Sequence, residues 1–171
     1  MSTTLNKDIL NKIRVHLESS YPNEACGFLV GTERNRRRHI TGIITVENRS
    51  TENQRRRFVV DPLDYLKAER SASNDDLDLL GIYHSHPDHP AIPSIHDLEF
   101  AQPYFSYLIH SITSGQMTDS RSYRLLDGNF IEEKFSIHQS KSRKSNLSKL
   151  PQPLAPEAQK LNFLNAVPQC K

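Results

Sequence analysis

Two histidines and one aspartate are spaced so that they could share a metal ion. His84 and His86 stand two positions apart at the end of a predicted strand. Side chains of a strand alternate between its faces, so both imidazoles should point the same way. Asp97 lies in the first turn of a predicted helix, after a loop rich in proline. Two imidazoles and one carboxylate leave a fourth position for water, which is the pattern of a catalytic zinc site.

Each part of this set also has an ordinary structural explanation. A lone His-x-His pair is more often incidental than metal-binding, and Ser94 with Asp97 forms a complete capping box. Helix capping alone could therefore explain both of these residues. His89 competes as a ligand, although its place in the loop favours a solvent-facing role, and His96 should point away from Asp97. Only the conjunction of these residues supports a metal site.

The same spacing resembles the signature of the JAMM (MPN-plus) metallopeptidases. The His-x-His pair is followed after seven residues by Ser94, and after two more by Asp97, without a gap. Upstream, Glu24 within the segment 23–31 resembles the glutamate that this family carries at the start of its first strand. The resemblance covers residues 5–137 and is strongest to the compact bacterial members of the family.

The resemblance implies a role for each matched residue. His84, His86 and Asp97 would bind Zn²⁺. Glu24 would act as the general base, which takes a proton from the zinc-activated water and returns it to the leaving amine. Ser94 would stabilise the oxyanion of the tetrahedral intermediate through a hydrogen bond. The metal-binding residues include no other base, so an acid from elsewhere in the fold must supply this function.

Hydrophobic periodicity predicts the elements that position these residues. Helices are predicted at 5–17, with Thr3 or Thr4 as the cap, at 61–73, with Asp61 as the cap, and from Ser94 onward. Strands are predicted at 27–31, 40–46, 58–60, 77–83, 107–112, 122–126 and 130–137, the last two flanking an Asp-Gly turn. This order indicates an α/β or α+β fold. The resemblance implies an MPN sandwich, similar to cytidine deaminase, in which helices flank a central mixed β-sheet.

A change of composition at Gln139 predicts two regions. Residues 1–138 would form the metallopeptidase domain, and residues 139–171 a basic tail rich in Ser, Pro and Lys, with a short helix at 156–167. The tail has six basic residues and one acidic residue, which leaves 16 basic and 19 acidic residues in the domain. A solvated tail that aids solubility and a tail that contacts an anionic partner are both compatible with this charge.

The remaining features bound the compartment and the partners. The two cysteines are far apart in sequence and no signal peptide is visible, so a cytoplasmic protein is expected. No apolar run approaches the ~18 residues of a membrane span, so no membrane contact is expected. Cys26 lies among apolar residues and is predicted to be a buried thiol rather than a nucleophile. The arginine triplets at 36–38 and 55–57 are predicted to be solvated, with a patch for an acidic partner as the alternative. Nucleic-acid binding is not favoured, and a homodimer remains open.

The resemblance implies a peptidase or isopeptidase that acts at the C-terminus of a ubiquitin-like sulfur-carrier protein. The segments between the motif elements are short, which leaves little room for the loops that grip two ubiquitins in eukaryotic relatives. An extended substrate tail could bind by adding a strand beside the sheet. A non-catalytic MPN scaffold is one alternative, although the chain retains all five functional residues. A zinc deaminase is another, although the sequence lacks a Pro-Cys-x-x-Cys pair.

Overall fold

A computed structural model describes residues 1–139, which form a mixed α/β fold. Along the described chain the elements are β1 (Ser2–Asn6), α1 (Lys7–Ser20), β2 (Cys26–Arg34), β3 (Arg37–Val46), α2 (Pro62–Asn74), β4 (Asp78–Pro87), α3 (Ile95–Glu99), β5 (Ser106–Thr113), β6 (Gln116–Leu126) and β7 (Asn129–His138). None of these helices is long and apolar enough to cross a membrane. The helix predicted at 156–167 lies outside the described residues.

The strands form one mixed sheet that closes into a barrel, in the order β1-β3-β2-β4-β5-β6-β7. Pairing is parallel between β1 and β3, β1 and β7, and β4 and β5, and antiparallel elsewhere. The α/β class and the mixed sheet agree with the prediction. The sandwich description differs from the structure, because pairing of β1 with β7 joins the two edges that an open sheet would leave free.

The chain begins with a strand where a helix is predicted. Helix α1 starts only at Lys7, because the Asn6 side chain accepts the Ile9 N–H at 2.9 Å and so caps the helix. The predicted caps, Thr3 and Thr4, lie within β1 instead. The apolar residues that predict one helix therefore belong to two elements. Leu5 lies in β1, and Ile9, Ile13 and Leu17 form the buried face of α1.

Two other predicted boundaries are confirmed. Helix α2 begins at Pro62, and the Asp61 side chain accepts the Leu63 N–H at 2.8 Å as its N-cap. Strands β6 and β7 are joined at Asp127 and Gly128, whose φ angles of 49° and 76° suit a tight hairpin turn. The Asp61 cap and the Asp127-Gly128 turn each depend on residues that are neighbours in sequence, and for this reason the sequence predicts them.

Apolar side chains form two clusters on opposite faces of the sheet. The first contains one face of α1, and the second contains Ala68 and Ala72 of α2. The consecutive residues Phe28 and Leu29 of β2 belong to different clusters, as side-chain alternation requires. Each fully buried leucine or phenylalanine contributes about 1.5–3 kcal/mol of transfer free energy. This double burial fixes the position of the central strands, including β4.

One arginine of the first triplet is buried rather than solvated. The Arg38 guanidinium donates to the carbonyl oxygens of Leu80, at 2.5 Å, and Tyr104, and to the Glu33 carboxylate at 2.8 Å. All of its nitrogens thus have partners, which is the condition for tolerating a charge in a protein interior. The prediction of a solvated turn or strand edge at 36–38 is therefore wrong for Arg38, whose side chain bonds to groups of three strands, β2, β4 and β5, and of the loop before β5.

Candidate metal centre and groove

Strand β4 and the short helix α3 bring the three predicted ligands together. His84 and His86 are buried on one face of β4. The loop that follows turns the chain so that Asp97, in the first turn of α3, reaches back to this strand. Its carboxylate oxygens lie 3.1 Å from His84 Nε2 and 3.4 Å from His86 Nε2, and the two Nε2 atoms are 3.1 Å apart.

These separations fit a tetrahedral cation. Metal–ligand bonds of ~2.0–2.1 Å at tetrahedral angles place neighbouring donor atoms about 3.3–3.4 Å apart. The Nδ1–H of His86 donates to the Pro90 carbonyl at 2.9 Å, which leaves Nε2 free as a ligand atom. His84 Nδ1 has no hydrogen-bond partner among residues 1–139, and its ring packs against Phe58 with centroids 4.7 Å apart. The donor set therefore suits a divalent metal of the zinc type.

The electrostatics of His84 and Asp97 favour the protonation states that bind a metal, whereas burial lowers the pKa of His86 but its contacts with Asp97 outweigh burial and raise that pKa. Burial lowers the pKa of His84, and contacts with Asp97 only partly offset this effect. Burial alone would raise the pKa of Asp97, but its contacts with His84, His86 and Ser94 outweigh burial and hold that pKa well below its usual range. Near neutral pH, Asp97 is therefore a carboxylate and His84 a neutral imidazole.

Glu24 lines the same groove as Ser94 and Asp97 and is only 7 % exposed. Burial raises the pKa of its carboxyl group to about 8, while His86 lowers it and Asp97 raises it further. No hydrogen bond to this carboxyl group is found in the described part of the chain. A nearby cation would favour its anionic form. A buried carboxyl group with a raised pKa beside a metal site is suited to accept and return a proton.

Asn48, which sequence reasoning missed, holds Glu24 in place. Its Nδ2 group donates to the main-chain oxygens of Glu24, at 3.0 Å, and Arg57, at 2.9 Å. Its Oδ1 accepts the N–H groups of Ser50 and Val59. Asn48 thereby joins the general-base candidate to both ends of the loop between β3 and α2. An asparagine directly after a strand, at the start of a long loop, is the signal that could have indicated such a role.

Ser94 lies beside the candidate metal ligands, and its hydroxyl group is already engaged. It donates to Asp97 Oδ2 at 2.7 Å and accepts the Asp97 N–H at 3.1 Å, and the Ser94 N–H donates to the same carboxylate oxygen at 2.6 Å. The predicted capping box is thus present. Donation to a reacting oxyanion would require the Ser94 hydroxyl hydrogen to turn away from Asp97. The Asp97 carboxylate would then keep its hydrogen bond from the Ser94 N–H.

A groove of about 1140 Å³ runs past this centre. Its floor is mostly aromatic and its rim is polar, with the Phe58–Val60 segment along one side. The strand predicted at 58–60 is not part of the sheet, because this segment belongs to the loop between β3 and α2. Its apolar lining residues are Phe28, Phe58, Val59, Val60, Pro62, Tyr65, Ile82, Phe100, Phe105 and Tyr107.

Two competing residues are placed away from this chemistry. Cys26 is a free, fully buried thiol, and burial raises its pKa to about 12, so it is the core residue that the sequence predicts rather than a nucleophile. His89 is exposed and lies outside the donor cluster formed by His84, His86 and Asp97.

Comparisons with known proteins place this geometry in a family. Residues 6–126 match the model of prokaryotic homologues of the JAB domain. The CysO-cysteine peptidase of Mycobacterium tuberculosis is 33% identical over 136 residues, covering 78% of this chain and 89% of the relative. A probable TtuB-protein conjugate cleaving protease of Thermus thermophilus is 34% identical over 103 residues, covering 60% of this chain and 66% of the relative.

Further similarity comes from an archaeal relative and two solved structures. A desampylase of Pyrococcus furiosus is 42% identical over 81 residues, covering 47% of this chain and 54% of the relative. The solution structure of a Desulfitobacterium hafniense protein superimposes with a TM-score of 0.72 at 29% identity, over 80% of this chain and 93% of that one. One from Salinibacter ruber gives a TM-score of 0.62 at 35% identity, over 92% and 95%. The chain therefore belongs to the prokaryotic JAB-domain family of JAMM-type peptidases.

Proposed function

We propose that this protein is a zinc-dependent peptidase that hydrolyses the amide bond after the terminal Gly-Gly of a ubiquitin-like sulfur-carrier protein. The observation that carries the proposal is the position of Glu24, which lines the same groove as Asp97 and is close enough to His86 and Asp97 for both to shift its pKa. The donor atoms of His84, His86 and Asp97 lie within 4.8 Å of one another. The names of the relatives support the substrate class, since they refer to CysO-cysteine and to a TtuB–protein conjugate. The cytoplasm is the compartment that we propose for this reaction.

In this proposal His84, His86 and Asp97 hold the ion and Glu24 moves the proton. Bound zinc would supply Lewis acidity, which polarises a substrate carbonyl group and acidifies water. Glu24 accepts a proton from the attacking water, whose oxygen forms a bond to the carbonyl carbon. When the C–N bond breaks, Glu24 gives this proton to the nitrogen. The carrier leaves with a carboxylate at Gly-Gly, and the other product leaves as an amine.

Ser94 is the proposed donor to the oxyanion. It lies in the groove next to Asp97, and its hydroxyl group needs only a rotation about one bond to leave the carboxylate. The main-chain N–H of Ser94 continues to donate to Asp97 Oδ2, so the ligand stays oriented after this rotation. A hydrogen bond of this kind, formed only as the oxyanion develops, lowers the barrier rather than strengthening substrate binding.

The groove suits an extended substrate tail. The N–H and C=O groups of Val59 bond to Asn48 and Arg49. The main-chain groups of Phe58 and Val60 make no hydrogen bond within residues 1–139. In an extended segment successive residues alternate, so these groups point away from Asn48 and Arg49, the partners of Val59. They are therefore available to a strand laid along the groove, which is the mode of binding known as β-augmentation. Aromatic residues on the floor would cover such a tail and exclude water.

The proposal is tested by metal analysis and a cleavage assay on the purified full chain. About one zinc per chain is expected, together with release of the residue added after Gly-Gly of a ubiquitin-like carrier. Glu24→Gln should retain zinc and lose about 10²–10⁴-fold in kcat, because only the proton transfer is removed. The double variant His84→Ala/His86→Ala should lose zinc, because one carboxylate cannot hold the ion alone.

His138→Ala is the matched control, because this histidine is exposed at the end of β7. It should retain both zinc and activity. Near-stoichiometric zinc in the double variant would contradict the assignment of the ligands. Zinc without cleavage in the unaltered protein would instead favour a non-catalytic scaffold.

A further inference from the structure

A second, smaller pocket borders the metal centre. Its volume is about 360 Å³, and it is lined by Asn53, Arg55, Arg56, Pro87, Asp88 and His89. Arg56 also lines the main groove, so the two cavities are neighbours. One wall of the pocket is the segment that directly follows the ligand His86, and the His89 N–H donates to the His86 carbonyl oxygen at 3.4 Å.

The pocket has an excess of positive charge. Neither Arg55 nor Arg56 has an acidic partner within ion-pair distance in the described part of the chain. Arg57, by contrast, pairs with Glu52 at 3.1 Å. Asp88 is the one carboxylate in the pocket wall, and its pKa is lowered by hydrogen bonds from Ser114 and Tyr21 and by the charge of Arg55. Both of its oxygens are occupied, one by the Tyr21 hydroxyl group at 2.9 Å and the other by the Ser114 N–H at 3.0 Å. Two guanidinium groups therefore face one carboxylate, which leaves a net positive charge.

The position of the pocket suits the leaving side of the reaction. Glu24, Ser94 and Asp97 all line the main groove, which would hold the carrier's tail up to the scissile bond. One residue of extended chain spans about 3.3–3.6 Å, so a single residue after that bond ends close to the metal ligands. If it is the last residue, its α-carboxylate would be a fixed negative charge beside the metal ligands, and the segment that directly follows His86 lines the basic pocket. Two guanidinium groups can pair with such a carboxylate through two hydrogen bonds each.

We infer that Arg55 and Arg56 bind the α-carboxylate of the leaving residue, so that the enzyme prefers a substrate with one free C-terminal residue after Gly-Gly. This inference rests on the proposed function and specifies its leaving group. It assigns the bond to a linear peptide, because a lysine linked through its side chain within a folded protein offers no α-carboxylate at that place. The two arginines are specificity residues and do not take part in the chemistry of the bond.

The test compares two forms of one substrate on the zinc-loaded full chain. The probe is a ubiquitin-like carrier ending in Gly-Gly plus one cysteine, prepared with either a free carboxylate or a carboxamide at its end. The carboxylate form should be cleaved with a kcat/KM about 10- to 100-fold higher, the range of one or two hydrogen bonds to a charged group. Arg55→Gln/Arg56→Gln should lower kcat/KM for the carboxylate form alone and remove this difference. Arg55→Lys/Arg56→Lys should restore part of it, because the charge is retained.

Arg37→Gln is the control, since Arg37 is exposed in β3, at the β2–β3 hairpin. It should leave both substrates unchanged. Cleavage of the two forms within twofold by the unaltered enzyme would overturn the inference. So would an equal loss on both forms in the Gln variant, or a preference for a lysine-linked conjugate. Failure to cleave either form would contradict the proposed function itself, and with it this subsite.

Discussion

At the scale of single residues, the capping role of Ser94 and its proposed catalytic role make different demands on one hydroxyl group. As the N-cap of α3 it accepts the Asp97 N–H, and it also donates its own hydrogen to the Asp97 carboxylate. As the oxyanion donor it would have to give this hydrogen to the substrate instead. The capping role stabilises the free enzyme, whereas the catalytic role matters only in the transition state. Kinetics and stability therefore separate the two.

We expect Ser94→Ala to lower kcat by about 10²–10³-fold with little change in KM, because the lost hydrogen bond forms as the oxyanion develops. The loss of the cap should also reduce the free energy of unfolding by about 1 kcal/mol. Steady-state kinetics and urea unfolding on the same preparation measure both effects. Unchanged activity per folded molecule, together with the stability loss, would mean that Ser94 serves only as a cap.

His110 gives the molecule a sensitivity to acid. It is fully buried on β5, its Nδ1 lies 2.8 Å from Ser120 Oγ, and burial, with a further contribution from His84, lowers its pKa to about 3. The unfolded chain takes up this proton near pH 6.5, whereas the folded chain resists it until about pH 3. The unfolded state therefore binds more protons between these values, and stability falls as the pH drops below 6.5.

We expect His110 to account for about 2 kcal/mol of the stability lost between about pH 7 and pH 5. His110→Gln should flatten this part of the profile, whatever its effect on stability at neutral pH. Urea unfolding at several pH values measures the slope, with the exposed His138→Gln as the control. An unchanged slope in His110→Gln would show that other groups cause the acid sensitivity.

At the scale of elements, the loop between β3 and α2 is as important to the site as the strands. It forms one wall of the groove, and it is joined to Glu24 through Asn48 on one side and through Gln54 on the other. The Glu24 N–H donates to the Gln54 carbonyl oxygen at 2.7 Å. Glu24 therefore takes its position from a loop as well as from the start of β2. A change in the loop should act on proton transfer without touching the metal.

We expect Asn48→Ala to retain zinc and lower kcat/KM by about 10- to 100-fold, because Glu24 loses a main-chain anchor and the loop loses its connection across Val59. Unfolding should also become easier by about 1–3 kcal/mol, the range for buried polar groups left without partners. Zinc content, kinetics and thermal melting measure the three quantities. Asn74→Ala, at the exposed end of α2, is the control. A stability loss without any kinetic effect would limit Asn48 to a structural role.

What the sequence could predict depends on the range of the signal. The proposed ligand pair His84 and His86, and the confirmed cap at Asp61, follow from neighbours a few positions away, and such patterns are visible in one chain. Strand β1 is five residues long, and within residues 1–139 its partners are β3 and β7. Five residues carry too little periodicity to reveal a partner so far along the chain. Asn48 acquires its role through Glu24, 24 positions upstream, and no local pattern records that contact.

At the scale of the whole molecule, residues 1–139 contain every group that the proposed reaction needs. Both apolar clusters, the donor set and the groove are built from this part of the chain. The residues that follow are rich in Ser, Lys, Pro and Gln, a composition that offers few core contacts. The division of the chain near residue 139 therefore remains our proposal for the domain boundary.

We expect a chain truncated after Ser140 to fold, to bind zinc and to cleave with an unchanged kcat. An increase in KM alone would indicate that the tail helps to recruit the carrier. Circular dichroism, zinc analysis and steady-state kinetics on the truncated and full-length chains make the comparison. A truncated chain that fails to fold, or that loses its zinc, would show that the boundary is placed too early.

Closure of the barrel pairs two strands, β1 and β7, that are synthesised at different times. The parallel ladder joins Ser2–Asn6 to Lys134–His138, so the ribosome makes one side of this ladder well before the other. At ~5–20 residues per second the interval is on the order of ten seconds. Until β7 is made, the main-chain groups of β1 that face it lack their partners, as at the edge of an open sheet. The nascent chain is thus open to pairing with other strands, a hazard that ends when the last strand emerges.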